Sequence, residues 1–231
     1  MEQEDNIVIK LSGHVYFSNL NFDLLRRLIT IILKVKTKGY RIGLVTGGGN
    51  IARNYIKILK NFSLPNSICD LIGIEISRLN AKLIASILGR ECYIGIPNSY
   101  DELLEIVMND QDRIVITGGL QPGQSTNTVA VLLAEIMKAK TLIITTDVDG
   151  VYDKDPKKYP NAKFLNEVSV SELTKILNVN YQAGEYGLFD ALSLVLLKRL
   201  EVPVYVINGY KPESILEIII GKHVGTLIKP G

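Results

Sequence analysis

The chain is poor in the residues and patterns that mark several protein classes. Its 231 residues include only two cysteines, Cys69 and Cys92. These have neither metal-ligand spacing nor the density of a disulfide framework, so a structural zinc site and a secreted disulfide scaffold are excluded, and a reducing, cytoplasmic setting is expected. The formal net charge is +2, with Lys and Arg scattered along the chain, too little to imply nucleic-acid binding. No apolar run approaches the roughly 20 residues needed to cross a bilayer. The start MEQEDNIVIK is acidic and polar before a short apolar run, which is wrong for a signal peptide. Neither a nucleic-acid nor a membrane partner is expected. Internal repeats, low-complexity tracts and Ser/Gly linkers are missing too. Two nucleotide-binding signatures also fail. No G-x-x-x-x-G-K-[ST] occurs, which excludes a Walker P-loop. GGGNIA (47–52) matches G-x-G-x-x-G/A loosely, follows the second strand, and has no acid about 20 residues on at the end of a following strand, which argues against a nicotinamide-dinucleotide fold.

What is there is an ordinary globular balance, 47% apolar and 22% charged, on a chain long enough for one large domain or two lobes sharing a core. Strand-like runs alternate with helix-period segments. NIVIKLSG (6–13), RIGLVT (41–46), CYIGI (92–96), RIVITGG (113–119), TLIITTDV (141–148) and PVYVIN (203–208) read as strands, and GTLIKP (225–230) as a closing edge strand. Helical spacing covers 24–39 with Gly39 as C-cap, 50–62, 70–89, 99–109 with Ser99 and Glu102 as a capping box, and 126–139. SVSELTKIL, FDALSLVLLKRL and KPESILEIIIG are shorter helices, and 149–164 is a turn-rich loop with short strands. Nearly continuous apolar strands between helices predict an α/β fold, a three-layer αβα sandwich with a mostly parallel central sheet. One domain over 1–231 is expected, with its sheet continuous across lobes of about 1–140 and 141–231.

In open α/β sheets, ligands sit beyond the carboxyl ends of the strands. Four unusual stretches fall there: KLSGH (10–14), TGGGN (46–50), TGGLQPGQST (117–126) and TTDVDGVYDKDP (145–156). The three adjacent glycines 47–49 carry a large entropy cost on folding. A tight strand-to-helix turn would explain them, and so would a phosphate bound by backbone N–H groups at a helix N-terminus. Lys10, flanked by apolar residues, is either a snorkelling edge lysine or a cation placed near Gly13 to stabilise charge on a transferring phosphoryl group. Asp147, Asp149, Asp153 and Asp155 suit a solvated turn, but a buried strand feeds the first two toward the ligand edge. There a carboxylate could orient the lysine or hold the magnesium that accompanies ATP.

Taken in order, KLSG, VTGGGNIAR (45–53), DLIGIEISRLNA (70–81), TGGLQPGQST, TTDVDGVYDKDP and QAGEYGLFD (182–190) resemble the amino acid kinase superfamily, and within it the archaeal type of UMP kinase. The resemblance covers essentially the whole chain. GQST and VDGVYDKDP are its most specific pieces, whereas KLSG and the glycine triplet are common to the superfamily. It implies an amino acid kinase-like fold and transfer of the ATP γ-phosphoryl group to UMP with Mg2+, giving UDP and ADP in pyrimidine nucleotide biosynthesis. It also implies a homo-oligomer, a hexamer. UTP, which shares the acceptor's uracil and ribose, is expected to inhibit.

Carried over residue by residue, the resemblance puts Lys10, Ser12 and Gly13 under the ATP phosphates, with His14 beside them and Lys10 as the cation on the transferred group. Gly49 and Arg53 face the same phosphates, and Thr146, Tyr152 and Asp155 surround the adenosine. Asp149, in the VDG turn beside the phosphates, is with Lys10 the implied catalytic pair. Gly48 contacts the monophosphate, Asp70 binds its ribose, and Leu120, Gln121, Pro122, Gly123, Gln124, Ser125 and Thr126 wrap UMP. No metal cage of protein side chains is implied. Plainer roles stand beside these: Asp70 as a helix cap, Tyr152 as a packed loop aromatic and Arg53 on a solvated face. Three positions depart from the pattern. His14 replaces a second basic residue, Asn127 stands where some relatives have an acid, and FDA (189–191) replaces the commoner DP pairing. The rival readings are a superfamily kinase acting on isopentenyl phosphate, carbamate or N-acetylglutamate, and a non-catalytic nucleotide sensor. LQPGQST with Asp70 argues against the first, and Lys10 with the complete VDGVYDKDP loop against the second.

Overall fold

The computed structural model of the chain describes residues 5–177 and 188–229, so QAGEYG (182–187) lies outside the described residues. The first half runs β1 (Asn6–Leu11), α1 (Gly13–Phe17), α2 (Phe22–Thr37), β2 (Arg41–Thr46), α3 (Gly49–Asn61), α4 (Asn66–Leu88), α5 (Tyr100–Asn109), β3 (Val115–Thr117) and α6 (Thr126–Ile136). Then follow β4 (Thr141–Thr146), β5 (Val151–Tyr152), β6 (Phe164–Leu165), β7 (Glu167–Ser169), α7 (Val170–Leu177), α8 (Ala191–Leu197), β8 (Val204–Asn208), α9 (Ser214–Ile219) and β9 (Thr226–Lys229).

Side chains alternate across a strand, and β1 is apolar on both faces: Val8 enters one core, Ile7, Ile9 and Leu11 the other. Such a strand belongs inside a parallel sheet covered on both sides. The seven-stranded sheet has the order β3-β2-β1-β4-β8-β9-β7, parallel throughout except between β8 and β9. One core packs α5, α6 and α8 against the sheet, and the other packs α2, α4 and α9. The result is the expected three-layer sandwich. Each core draws on both sides of residue 140: Val45 joins Leu142 and Val206 on one face, and Leu44 joins Ile143 and Ile207 on the other.

Three local expectations are corrected. CYIGI forms no strand; Cys92 alone bridges Ile114, and Gly95 and Pro97 interrupt the run beside the edge strand β3. GTLIKP is not an edge strand, because β7, too short and polar to read from the sequence, pairs with its outer side. The 70–89 helix starts earlier, at Asn66 directly after Pro65, which places Asp70 inside α4. The short α1, within the segment just after the first strand, was not foreseen. Its Tyr16 hydroxyl donates to Gly209 O at 2.7 Å, a bond to a residue far along the chain.

Candidate active site

The ends of β1 and β2 are packed backbone against backbone. A Cβ on Gly13 would lie 2.2 Å from Gly49 N, and one on Gly49, at φ +67°, would lie 2.3 Å from Gly13 O. The glycines therefore serve first to let two strand-end loops touch at the start of α3, where Asn50 N donates to Ser18 Oγ at 3.0 Å. Gly47 N donates to Leu11 O at 3.1 Å, and Asn80 Nδ2 of α4 donates to Gly47 O at 2.8 Å. From the other flank, Ser12 N donates to Thr145 Oγ1 at 2.8 Å, whose hydroxyl donates to Lys10 O at 3.0 Å. Both loops are thus pinned by neighbouring elements.

A cleft opens over them. Lys10, Ser12, Gly13 and His14 line one side together with Gly48, Gly49 and Arg53, and Asp70, Gln124, Ser125 and Thr126 complete the sequence-predicted part of its lining. Asp70 is no cap; its Oδ2 accepts from Gly123 N at 2.9 Å and so anchors the 120–126 loop. Arg78 holds the start of that loop, with Nε 3.0 Å from Gly119 O and Nη2 3.0 Å from Leu120 O. Leu120 is buried, and Gln121, Pro122 and Gly123 form an exposed tip outside the lining.

Sequence reasoning missed Ala52, Ile56, Gly73, Ile74, Ser77 and Gly119, and treated Asn127 only as a departure. Ile56 and Ile74 look like any apolar helix position. Ser77 carried a signal, a small polar residue on the buried stripe of α4. Its hydroxyl donates to Ile74 O and accepts from Gly119 N, both at 2.7 Å.

Two cations reach the cleft. Neither Lys10 nor Arg53 has an ion-pair partner within 4 Å among the described residues. Burial, and then the Arg53 guanidinium, pull the Lys10 pKa down to about 8 against a smaller opposing pull from Asp147. Asp147 is half-buried. Burial works to raise its carboxyl, but Lys157 and His14 outweigh this and hold it below the usual range. His14 has Nε2 3.5 Å from Asp147 Oδ2 and Nδ1 2.9 Å from Asn50 Oδ1.

The remaining residues expected around ATP do not line the cleft. Asp149 Oδ1 accepts from Asn208 Nδ2 and Lys211 Nζ, each at 3.0 Å, and these bonds lower its pKa. Thr146 ends β4, its carbonyl accepting from Gly209 N at 2.7 Å. The Tyr152 ring meets Phe164 edge-on at 5.4 Å, and Asp155 Oδ1 accepts from Lys157 N at 3.0 Å within a turn. The carboxylate whose charge reaches Lys10 is thus Asp147. Among the described residues no group of three or more His, Cys, Asp or Glu could hold a metal, and no helix is long and apolar enough to cross a membrane. Two cations, glycines at a helix start and a carboxylate-anchored loop suit a polyanion held beside a second, polar ligand.

The profile of the amino acid kinase family matches residues 5–208. The uridylate kinase of Sulfurisphaera tokodaii is 40% identical over 226 residues, 97% of this chain and 99% of that one. That of Methanothermobacter thermautotrophicus is 36% identical over 225 residues, again 97% and 99%. Among solved structures, the uridylate kinase of Archaeoglobus fulgidus matches with a TM-score of 0.81 at 33% identity, over 96% of this chain and 99% of that one. With the profile spanning most of the chain and relatives of 36–40% identity matching it nearly end to end, the chain belongs to the amino acid kinase family.

Proposed function

We propose that the protein is a UMP kinase, transferring the γ-phosphoryl group of ATP to UMP to give UDP and ADP in pyrimidine nucleotide biosynthesis, in the cytoplasm. The observation that carries this reading is the convergence of Lys10 and Arg53, neither ion-paired among the described residues, with the Gly48–Gly49 backbone, in one cleft with the loop that Asp70 anchors. Relatives of 36–40% identity that bear the name uridylate kinase support the choice of acceptor.

An oxygen of the UMP phosphate attacks the γ-phosphorus, and the bond to the β–γ bridging oxygen breaks, leaving its electron pair on ADP. The acceptor is already anionic at neutral pH, so alignment and charge neutralisation are what the chain must supply. Lys10 meets the transferring group, Arg53 and the Gly49 amide hold donor phosphates, and Asp147 with His14 sets the field around Lys10. Asp70 holds the ribose while fixing Gly123. Mg2+ bound with ATP would supply further charge neutralisation at the donor phosphates. The donors fit a nucleotide-borne ion, with Asp149 as a single exposed carboxylate rather than part of a protein cage. UTP, sharing uracil and ribose with UMP, competes with it. A homo-oligomer, a hexamer by the resemblance, belongs to the same reading and is supported by the exposed apolar stripe Ile51, Tyr55 and Ile58 on α3, continued by Phe62 just after it.

The test of the acceptor is ADP release measured across UMP, CMP, isopentenyl phosphate, carbamate and N-acetylglutamate. UMP is expected to be strongly preferred over CMP, because a site that hydrogen-bonds uracil leaves buried groups unpaired against cytosine. Equal kcat/KM for the two, or turnover with a non-nucleotide acceptor alone, overturns the reading.

A pH profile tests Lys10. Its protonated form is the working one, so kcat/KM for ATP should be level below pH 8 and fall above it, following the free-enzyme pKa of about 8. Bound phosphates favour the ammonium, so the corresponding limb in kcat should lie at higher pH. Lys10→Arg, whose charge persists, should remove the limb from kcat/KM. A wild-type profile flat through the alkaline range would contradict the role given to Lys10.

A further inference from the structure

Asp190 stands just before α8, where an aspartate normally caps its own helix. Its backbone has the form of a cap, with φ −90°, ψ 166° and a carbonyl that accepts from Leu194 N at 3.1 Å. Its carboxylate makes no capping bond. It turns instead to the start of α6, where Ser125 Oγ donates to Oδ1 at 2.6 Å and Thr128 Oγ1 lies 2.9 and 2.8 Å from Oδ1 and Oδ2. Asp190 is 5% exposed, and no described residue forms an ion pair with it. The Ser125 backbone N adds a long contact to Oδ2 at 3.5 Å, and a carboxylate buried on two hydroxyls and one amide, with no described cation beside it, is costly to keep. That cost suggests the geometry it enforces has a use.

The geometry is that of the first turn of α6. Ser125 gives its only hydroxyl proton to Asp190, which leaves its oxygen aimed to accept from Asn127 N at 3.1 Å and Thr128 N at 3.2 Å. Asn127 Nδ2 donates to Leu188 O at 2.6 Å, a second tie from the same segment. This turn supplies Ser125, Thr126 and Asn127 to the cleft, with Gln124 just before it, while Asp190 itself does not line the cleft. The loop is therefore held by two carboxylates, Asp70 near its tip and Asp190 at its end.

We propose that Asp190 is a positioning residue of the acceptor site, acting through Ser125 and Thr128 to hold the loop and the first turn of α6 against UMP. The proposal rests on the UMP kinase reading above.

Steady-state kinetics with UMP and ATP varied separately test it. Asp190→Ala leaves two buried hydroxyls without their acceptor, and KM for UMP should rise about tenfold or more, as expected for a lost buried charge-assisted hydrogen bond. KM for ATP should stay within about twofold. Thr128→Val, which keeps the side chain's shape, should shift KM for UMP in the same direction by less, and should add little to Asp190→Ala because the groups act as one unit. Asp190→Asn keeps an acceptor oxygen for the hydroxyls and should recover part of the loss. If the two KM values rise together, or the melting temperature falls while both stay put, Asp190 is a packing residue and the proposal fails. Should Asp190→Ala not fold, the ratio of KM values in Thr128→Val and Asp190→Asn decides the matter. A wild-type protein that turns over ATP with another acceptor overturns the UMP reading instead, and the same split measured on that acceptor still decides the role of Asp190.

Discussion

Lys10→Met is expected to lower kcat by roughly 100- to 1,000-fold, the usual cost of removing one preorganised stabiliser of transition-state charge. KM for either nucleotide should move far less, since the ammonium interacts most strongly with charge that develops during transfer. Lys10 sits in β1 with Val45 and Ile144 as its cross-strand neighbours, so the Met side chain can occupy the apolar part of the same space. Melting temperature offers an independent readout with a definite sign. Burial and Arg53 both disfavour the charge in the ligand-free protein. Removing it should leave stability unchanged or raise it, the pattern of a residue kept for function at some cost in stability. Near-normal turnover would reduce Lys10 to a strand residue with a solvated tip. A collapsed melting temperature would make it structural.

Gly13→Ala is the second large effect. Its Cβ would lie 2.2 Å from Gly49 N, 2.6 Å from Gly47 C and 2.8 Å from Gly47 O, all backbone atoms with no rotamer to yield. Overpacking of this kind costs about 1–3 kcal/mol and sometimes more. Relief requires the two loops to separate, which displaces the Gly49 amide and Ser12 together, and a misplacement of roughly 1 Å can cost about 100-fold in rate. Urea unfolding and turnover measured on the same variant should both suffer. Gly39→Ala is the control: φ there is +88°, but nothing lies within 4 Å of the added carbon. It should lose about 1 kcal/mol through backbone strain alone and keep full turnover. A Gly13→Ala protein as stable and active as Gly39→Ala would mean that the loops do not depend on their contact.

The central strands and the order of motifs were legible because β1, β2 and β4 are apolar on both faces, a pattern with few other uses. Lys10 could be singled out for the same reason, as the one charge within β1. Elements that owe their existence to distant partners were not legible. Glu167–Ser169 has no strand pattern of its own and becomes β7 by pairing with β9, and α1 is five residues long with Tyr16 tied to Gly209. The glycines 47–49 were weighed as a turn or a phosphate loop, yet much of the need for them comes from Gly13, over 30 residues away in sequence. Asp147 and Asp149 are equivalent acids in a loop until the fold gives one to Lys157 and His14 and the other to Asn208 and Lys211. Asp190 entered the sequence reading only through the FDA departure, and nothing local foretells that its carboxylate turns from its own helix to the start of α6. Local chemistry predicted roles within an element well, and pairings across the fold poorly.

The most direct measurement follows the phosphorus itself. ATP labelled in the γ-phosphate, incubated with UMP, Mg2+ and the wild-type protein, should deliver its label to the β-phosphate of UDP, with one UDP formed for each ADP, as read by phosphorus NMR of the products. Label recovered as inorganic phosphate, or retained in ATP while UMP stays unchanged, would contradict phosphoryl transfer to UMP in the cleft that Lys10 and Arg53 line.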